Sequence, residues 1–237
     1  MAVIVPAILP RSRDDLADKL LRLEGIASEV QIDVVDGRFA TPASWPYLHP
    51  GEPSHDGEDP FPFLGSIRFE MDVMVTSPET QMARWVNAGA GRITIHAEAT
   101  HRLPKLLEEF RTLYGHDASF APGLLSLGLA VNLATDISLI EPYLAQCDYV
   151  QFMGIREIGK QGQPFDKAVL LKIAAFKKKY PDMPIQVDGG VSLDTAPALL
   201  SAGVSRLIVG SALWNSRNLK ATYAQFMDLT IHYGIYT

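Results

Sequence analysis

The 237-residue chain is 47% hydrophobic and 20% charged, the composition of a folded globular protein rather than a disordered or fibrous one, and its length suits one α/β barrel. Its formal net charge of -6 argues against a nucleic-acid surface or a polybasic membrane contact, but not against a phosphorylated ligand, because backbone amides hold phosphate without lysines. A lone cysteine, Cys147, excludes an internal disulfide framework and a Cys-rich zinc site.

The chain opens on "MAVIVPAILP". This run has no basic n-region and no cleavage pattern, and no stretch reaches the roughly 18 apolar residues of a membrane span. A cytoplasmic location is the expectation. The pattern predicts a strand over 2–9, then an amphipathic helix in "RDDLADKLLRLEGIA". The second strand, 29–35, reads "EVQIDVV" and ends at "DG". Side chains alternate along a strand, so Val30, Ile32 and Val34 share one face, and Gln31, Asp33 and Val35 the other. A charge on a buried strand face is costly unless it is paired, metal-bound or wetted by a cavity.

A long connection follows at 38–66, dense in Pro, Gly and aromatic residues. Loops of this length are uncommon and often form lids or binding loops. Further strands are predicted over 67–75, 92–98, 125–132, 148–154, 184–189 and 206–211. Helical patterns separate them: "SPETQMARWVNAGA", with Ser77 expected to cap and Pro78 in the first turn, then "RLPKLLEEFRTLYG", "DISLIEPYLAQ", "DKAVLLKIAAFKKKY" and "LDTAPALLSAG". Eight strands with interleaved helices predict a closed (β/α)8 barrel, one domain over 1–237. An open doubly wound sheet fits less well, since "AILPRSRDD" after the first strand has no glycine for a dinucleotide fingerprint.

The same alternation places Glu70, Asp72 and Met74 on one face of the third strand, and Gln186 and Asp188 on one face of the seventh. Three strands thus carry an amide or acid followed two residues later by an aspartate near the C-terminal end, the end where barrel active sites form. The last two units add "VDGGV" and "IVGSA". Small residues after strands 7 and 8 let a backbone approach a ligand and expose amide donors, so Gly189, Gly190, Gly210 and Ser211 are the expected phosphate-binding residues. "GKQGQPF" (159–165), carrying Gly162, could fold over the ligand. Met74 and Met153 stand at strand ends and are expected to line the site. His96 ends the fourth strand; a histidine there is more often a satisfied core residue, but alternation leaves it facing inward, so it too is a site-lining candidate.

Taken in chain order, "DVVDGRF", "DVMVTSPE", "ITIHAEA", "GLAVNLATD", "MGIREIGKQGQPF", "VDGGV" and "VGSA" occur in the order and at roughly the spacing of the ribulose-phosphate 3-epimerase family, which the chain resembles from "PAIL" to "VGSAL". The resemblance implies an isomerase that interconverts D-ribulose 5-phosphate and D-xylulose 5-phosphate by proton transfer at C3 through an enediolate, and a homo-oligomer. Its two proton-transfer aspartates match Asp33 and Asp188. The family's divalent metal is usually held by two histidines and two aspartates; the matching positions here are Gln31, Asp33, Asp72 and Asp188, with both histidines replaced. The chain also has Ala7 for a serine, Val35 for a methionine, and a 159–165 loop one residue longer. An all-oxygen set suits Mg2+ or Mn2+ better than Zn2+; the alternative is a site without metal, in which Gln31 donates a hydrogen bond to the enediolate. His49 and His55 in the long loop could replace the missing ligands, although loop histidines next to Pro and Gly are usually just solvated. Barrel relatives that decarboxylate orotidine phosphate or build hexulose phosphate carry an Asp-x-Lys-x-x-Asp array, and "DVVDG" has no lysine there. Two other readings stay open: an epimerase of another ketose phosphate, and a sugar-phosphate-binding protein that has lost catalysis.

Overall fold

The computed structural model describes residues 2–54, 60–63, 65–114 and 125–234. Eight parallel strands close into a barrel: β1 (Val3–Ile8), β2 (Glu29–Val35), β3 (Arg68–Met74), β4 (Ala90–His96), β5 (Ser126–Val131), β6 (Tyr149–Met153), β7 (Ile185–Asp188) and β8 (Arg206–Val209). Each strand pairs with its sequence neighbours, and β1 closes the ring against β8. The expected (β/α)8 fold is therefore the observed one. Among the described residues, no helix is long and apolar enough to cross a membrane.

The helices form from local signals. In α1 (Arg13–Leu23), Ser12 caps the Asp15 amide at 3.1 Å, and Leu16, Leu20 and Leu23 recur on one face and are fully buried. After α2 (Met82–Ala88), α3 (Leu103–Tyr114) buries Leu103, Leu106, Leu107 and Phe110, and α4 (Ala168–Lys179) buries Val169, Ile173 and Phe176. Its basic last turn, Lys177 to Lys179, complements the helix dipole. Then follow α5 (Ala196–Ser201), the short α6 (Ser211–Trp214) and α7 (Leu219–Tyr233), which Asn218 caps through the Ala221 amide.

Two local expectations fail. The 136–146 segment is not an α-helix but two 3-10 pieces, Ile137–Leu139 and Glu141–Gln146. Pro142 lacks the N–H that a continuous helix needs, and the Asp136 side chain instead accepts from the Ser138 amide. Ser77 makes no side-chain cap, because it adopts a left-handed backbone at φ 54° ahead of a 3-10 turn, Pro78–Thr80; α2 begins only at Met82.

The main apolar core lies outside the barrel wall, where Val30, Ile32, Val34, Met71, Val73, Ile93 and Ile95 meet the helices. The lumen is different. A small patch of Val5, Ala7 and Ile208 lines one side, and the rest is largely polar: Gln31, Asp33, Glu70, Asp72, Thr94, His96, Gln151 and Gln186 are all buried. Size is balanced between neighbouring strands at Gly128, where any side chain would collide with the ring of its register partner Tyr149.

Candidate active site

The three expected aspartates converge at the C-terminal end of the barrel. Parallel pairing of β2 with β3 puts Asp33 directly beside Asp72, and Asp188 ends β7. One oxygen from each carboxylate lies within 4.8 Å of the others. Gln31 joins two of them: its Nε2 donates to Asp33 Oδ1 at 2.8 Å and to Asp188 Oδ2 at 3.2 Å. Asp72 is held from the other side, with Gln151 Nε2 donating to its Oδ2 at 3.1 Å.

Three carboxylates this close, Asp33 and Asp72 buried and Asp188 half-buried, cannot all be ionised without a compensating cation. Burial, and then the charges of Asp188 and Asp72, push the Asp33 carboxyl well above the ordinary aspartate range. Burial and the Asp72 charge push Asp188 up to about 7, against the stabilising bonds from Gln31 and the Gly189 amide. Either protons or a cation must neutralise the cluster. The residues fit a divalent ion: the three acids supply hard oxygen ligands, and Gln31 Oε1 is buried without a hydrogen-bond partner among the described residues.

His96 is fully buried. Its Nε2 approaches Asp72 Oδ1 to 3.2 Å, an ion-pair distance without hydrogen-bond alignment, and Phe39 from the long loop packs on its ring at 5.5 Å. Burial disfavours the imidazolium, but Asp72 together with the Glu98 and Asp188 charges outweighs it and raises the His96 pKa. The histidine therefore stands behind Asp72 rather than on the cavity wall. His49 is exposed on a small hairpin, Tyr47–His49 with Glu52–Pro53, and does not belong to the acidic cluster; His55 lies outside the described residues.

A cavity of about 40 Å3 opens above the aspartates, room for a few waters. Asp33, Asp188, Met74, Met153 and Gly162 line it, and so do all four expected phosphate residues, Gly189, Gly190, Gly210 and Ser211. Two of these glycines are obligatory. Gly189 and Gly190 have φ of 96° and 68°, and a Cβ on Gly190 would lie 2.6 Å from the Phe165 backbone. Sequence reasoning missed Gln161. Its Nε2 bonds the Ala7 carbonyl at 3.2 Å and lies 2.8 Å from where a Gly210 Cβ would stand, so it narrows the mouth.

The second aspartate of "DVVDG" has a different task. Asp36 accepts from the amides of Arg38, Phe39 and Thr76, each at 2.8 Å. Ser44 then returns to β2, bonding the Val35 amide at 2.9 Å. These bonds fasten the start of the long loop so that Phe39 and Ala40 pack beside the site, with Val35 and Met74.

The sequence model of the ribulose-phosphate 3 epimerase family matches residues 3–214. The chain belongs to the ribulose-phosphate 3-epimerase family. It is 28% identical over 220 residues to the ribulose-phosphate 3-epimerase of Schizosaccharomyces pombe, covering 92% of this chain and 89% of that one. Against the Bacillus subtilis ribulose-phosphate 3-epimerase the identity is 28% over 234 residues, covering 95% and 98%. By membership the protein is an isomerase of the epimerase type. Among solved structures, KGPDC from Streptococcus mutans superposes with a TM-score of 0.68 at 14% identity, covering 97% of both chains. A 3-hexulose-6-phosphate synthase gives 0.64 at 16% identity, covering 97% of this chain and 99% of its own. These two show the shared barrel.

Proposed function

We propose that this protein interconverts D-ribulose 5-phosphate and D-xylulose 5-phosphate, with Asp33 and Asp188 as the two proton-transfer groups. Epimerisation removes a proton from one face of a carbon and returns one to the other, so it needs two groups flanking that carbon. β2 and β7 are separated by β1 and β8 in the barrel wall, so their aspartates address the cavity from different directions. The observation that carries the proposal is the shared donor: Gln31 Nε2 bonds both carboxylates, which keeps the two groups in one network while burial favours holding one proton between them.

In this reading, whichever aspartate is ionised takes the C3 proton, and the other, protonated, delivers to the opposite face. Each turnover exchanges their roles, as a reversible epimerisation requires. In the alternative without a metal, Gln31 would turn one of its N–H donors to the negative charge that develops on the substrate oxygens. Asp33, Asp72, Asp188 and the free Gln31 Oε1 would hold a divalent cation, and Mg2+ or Mn2+ suits this all-oxygen set better than Zn2+. Such an ion, when bound, offsets that developing charge. The substrate phosphate is assigned to the backbone around Gly189, Gly190, Gly210 and Ser211, which line the same cavity as the aspartates. The small cavity requires the Gln161 loop to withdraw as the sugar enters.

The test is deuterium incorporation from heavy water at C3, followed by NMR for each epimer. The expected result is exchange into both epimers with net interconversion. No exchange with any ketopentose phosphate would instead leave a sugar-phosphate-binding protein, and exchange confined to another ketose phosphate would reassign the substrate.

A further inference from the structure

A chain of buried amides runs around the lumen beneath the site and ends on Asp72. It begins at Glu70, which Arg92 and Arg206 bond at 3.1 and 2.9 Å from the lower end of the barrel. These cations hold Glu70 as a carboxylate, able only to accept. Thr94 donates to Glu70 at 3.0 Å, so Tyr149, 2.9 Å from the Thr94 hydroxyl, is left as the donor of that contact.

Gln186 on β7 also bonds Glu70 through Nε2, and its other N–H goes to Gln151 Oε1 at 2.7 Å. Its Oε1 faces Arg92 Nη2 at 3.4 Å. Reversing this amide would set its oxygen against the Glu70 oxygen and its nitrogen against a guanidinium. Only one orientation is compatible with both neighbours. Gln151 inherits its own orientation from this: its oxygen accepts from Gln186, so its nitrogen must point to Asp72 Oδ2 at 3.1 Å and Met153 Sδ at 3.4 Å. Glu70, Thr94, Tyr149, Gln151, Gln186 and Asp72 are all buried, with Gln151, Gln186 and Asp72 at 0% exposure. In such surroundings an amide with a fixed direction constrains its acceptor more tightly than water would.

We propose that Gln151 is a positioning residue for Asp72, oriented in turn through Gln186 by Glu70. The chain passes from β3 through β7 and β6 and returns to β3, so the direction of the Asp72 carboxylate is set by strands on the other side of the lumen. Neither glutamine lines the cavity, and neither touches Asp33 or Asp188 in the bonds described. This role rests on the epimerase reading only for its effect on turnover.

The test is a double-substitution cycle with Gln151→Met and Gln186→Met, which keep side-chain length and remove the donors. Gln151→Met should lower kcat for ribulose 5-phosphate by about 10- to 100-fold, the usual effect of removing a partner that orients a site ligand, with KM nearly unchanged because the phosphate loops are untouched. Gln186→Met should act in the same direction. The double variant should be no slower than Gln151→Met, since Gln186 works only through Gln151. Unchanged kcat, additive losses, or parallel changes in KM and kcat overturn the proposal. The second measurement needs no turnover: in 15N-labelled protein, the Gln151 side-chain amide resonance should shift on Gln186→Met, although the substitution leaves Asp72 in place. An unmoved resonance overturns the relay even if the enzyme is active. A shift in a protein with no epimerase activity sustains the relay and refutes only the substrate assignment. If Gln151→Met does not fold, Gln186→Met carries both measurements.

Discussion

Asp33 and Asp188, on strands β2 and β7, share one hydrogen-bond donor, with Gln31 Nε2 lying 2.8 Å from Asp33 Oδ1 and 3.2 Å from Asp188 Oδ2. Two acids coupled through a single amide can divide one proton between them, and the catalytic assignment makes a face-specific prediction. Asp33→Asn and Asp188→Asn should each abolish net epimerisation while leaving substrate binding largely intact. Each variant should still exchange deuterium into the one epimer whose C3 proton faces the surviving aspartate. NMR of both epimers in heavy water checks this. Full epimerisation by either variant contradicts the two-acid assignment.

The raised acids also set a pH dependence. The folded Asp188 pKa, about 7, is above the 3.8 of an ordinary aspartate, so the folded state binds more protons than the unfolded one between these values. The stability contributed by this group is fully present below about pH 4 and is lost as pH rises through about 7. A divalent cation competes with those protons. Mn2+ should therefore raise the melting temperature more at pH 8 than at pH 5, as thermal denaturation of chelator-treated protein with and without Mn2+ would show. An equal increment at both pH values speaks against binding at the aspartates.

Gln31 is the residue on which metal choice should turn. Gln31→His replaces an amide with an imidazole, a better zinc ligand than an amide oxygen. Competition calorimetry should show the ratio of Zn2+ to Mn2+ affinity rising by about tenfold or more, the scale at which such changes in a ligand shell act. An unchanged ratio would place Gln31 outside the ion's reach.

The phosphate assignment is tested at Gly190. Its φ of 68° and the 2.6 Å approach to the Phe165 Cα leave no space for a side chain. Gly190→Ala should cost about 1–3 kcal/mol of stability from the strained backbone. It should also weaken inorganic phosphate binding and raise KM more than it lowers kcat. Phosphate titration followed by NMR distinguishes this from simple unfolding.

Away from the site, Asp15 bonds Arg11, at both its backbone amide and its guanidinium, and Lys19 at 2.8–2.9 Å. Burial opposes its ionisation, but these bonds prevail and hold its pKa down at about 2. Its contribution to stability is present above about pH 4 and is lost as pH falls through 2. The melting-temperature difference between wild type and Asp15→Asn should therefore shrink on acidification from pH 5 to pH 2.

Much of this architecture is legible without coordinates, because the period-2 pattern of a strand assigns each residue to a wall face by local geometry alone. That is why Gln31, Asp33, Asp72 and Asp188 could be placed inside the barrel, and why paired glycines after β7 and a Gly-Ser step after β8 marked a ligand-facing backbone. Gln151 carried the same signal, a lone amide within "DYVQFM", but alternation says only that it faces inward. Its partner depends on how the closed barrel staggers eight strands, which placed Gln151 beside Gln186 and across from Asp72. Likewise, the tertiary structure decided that His96 stands behind Asp72, that Asp36 secures the long loop, and that Gln161 fills the mouth. Strand periodicity is a property of neighbouring bonds along the chain. Contacts across the lumen arise only when the ring closes and its register is set.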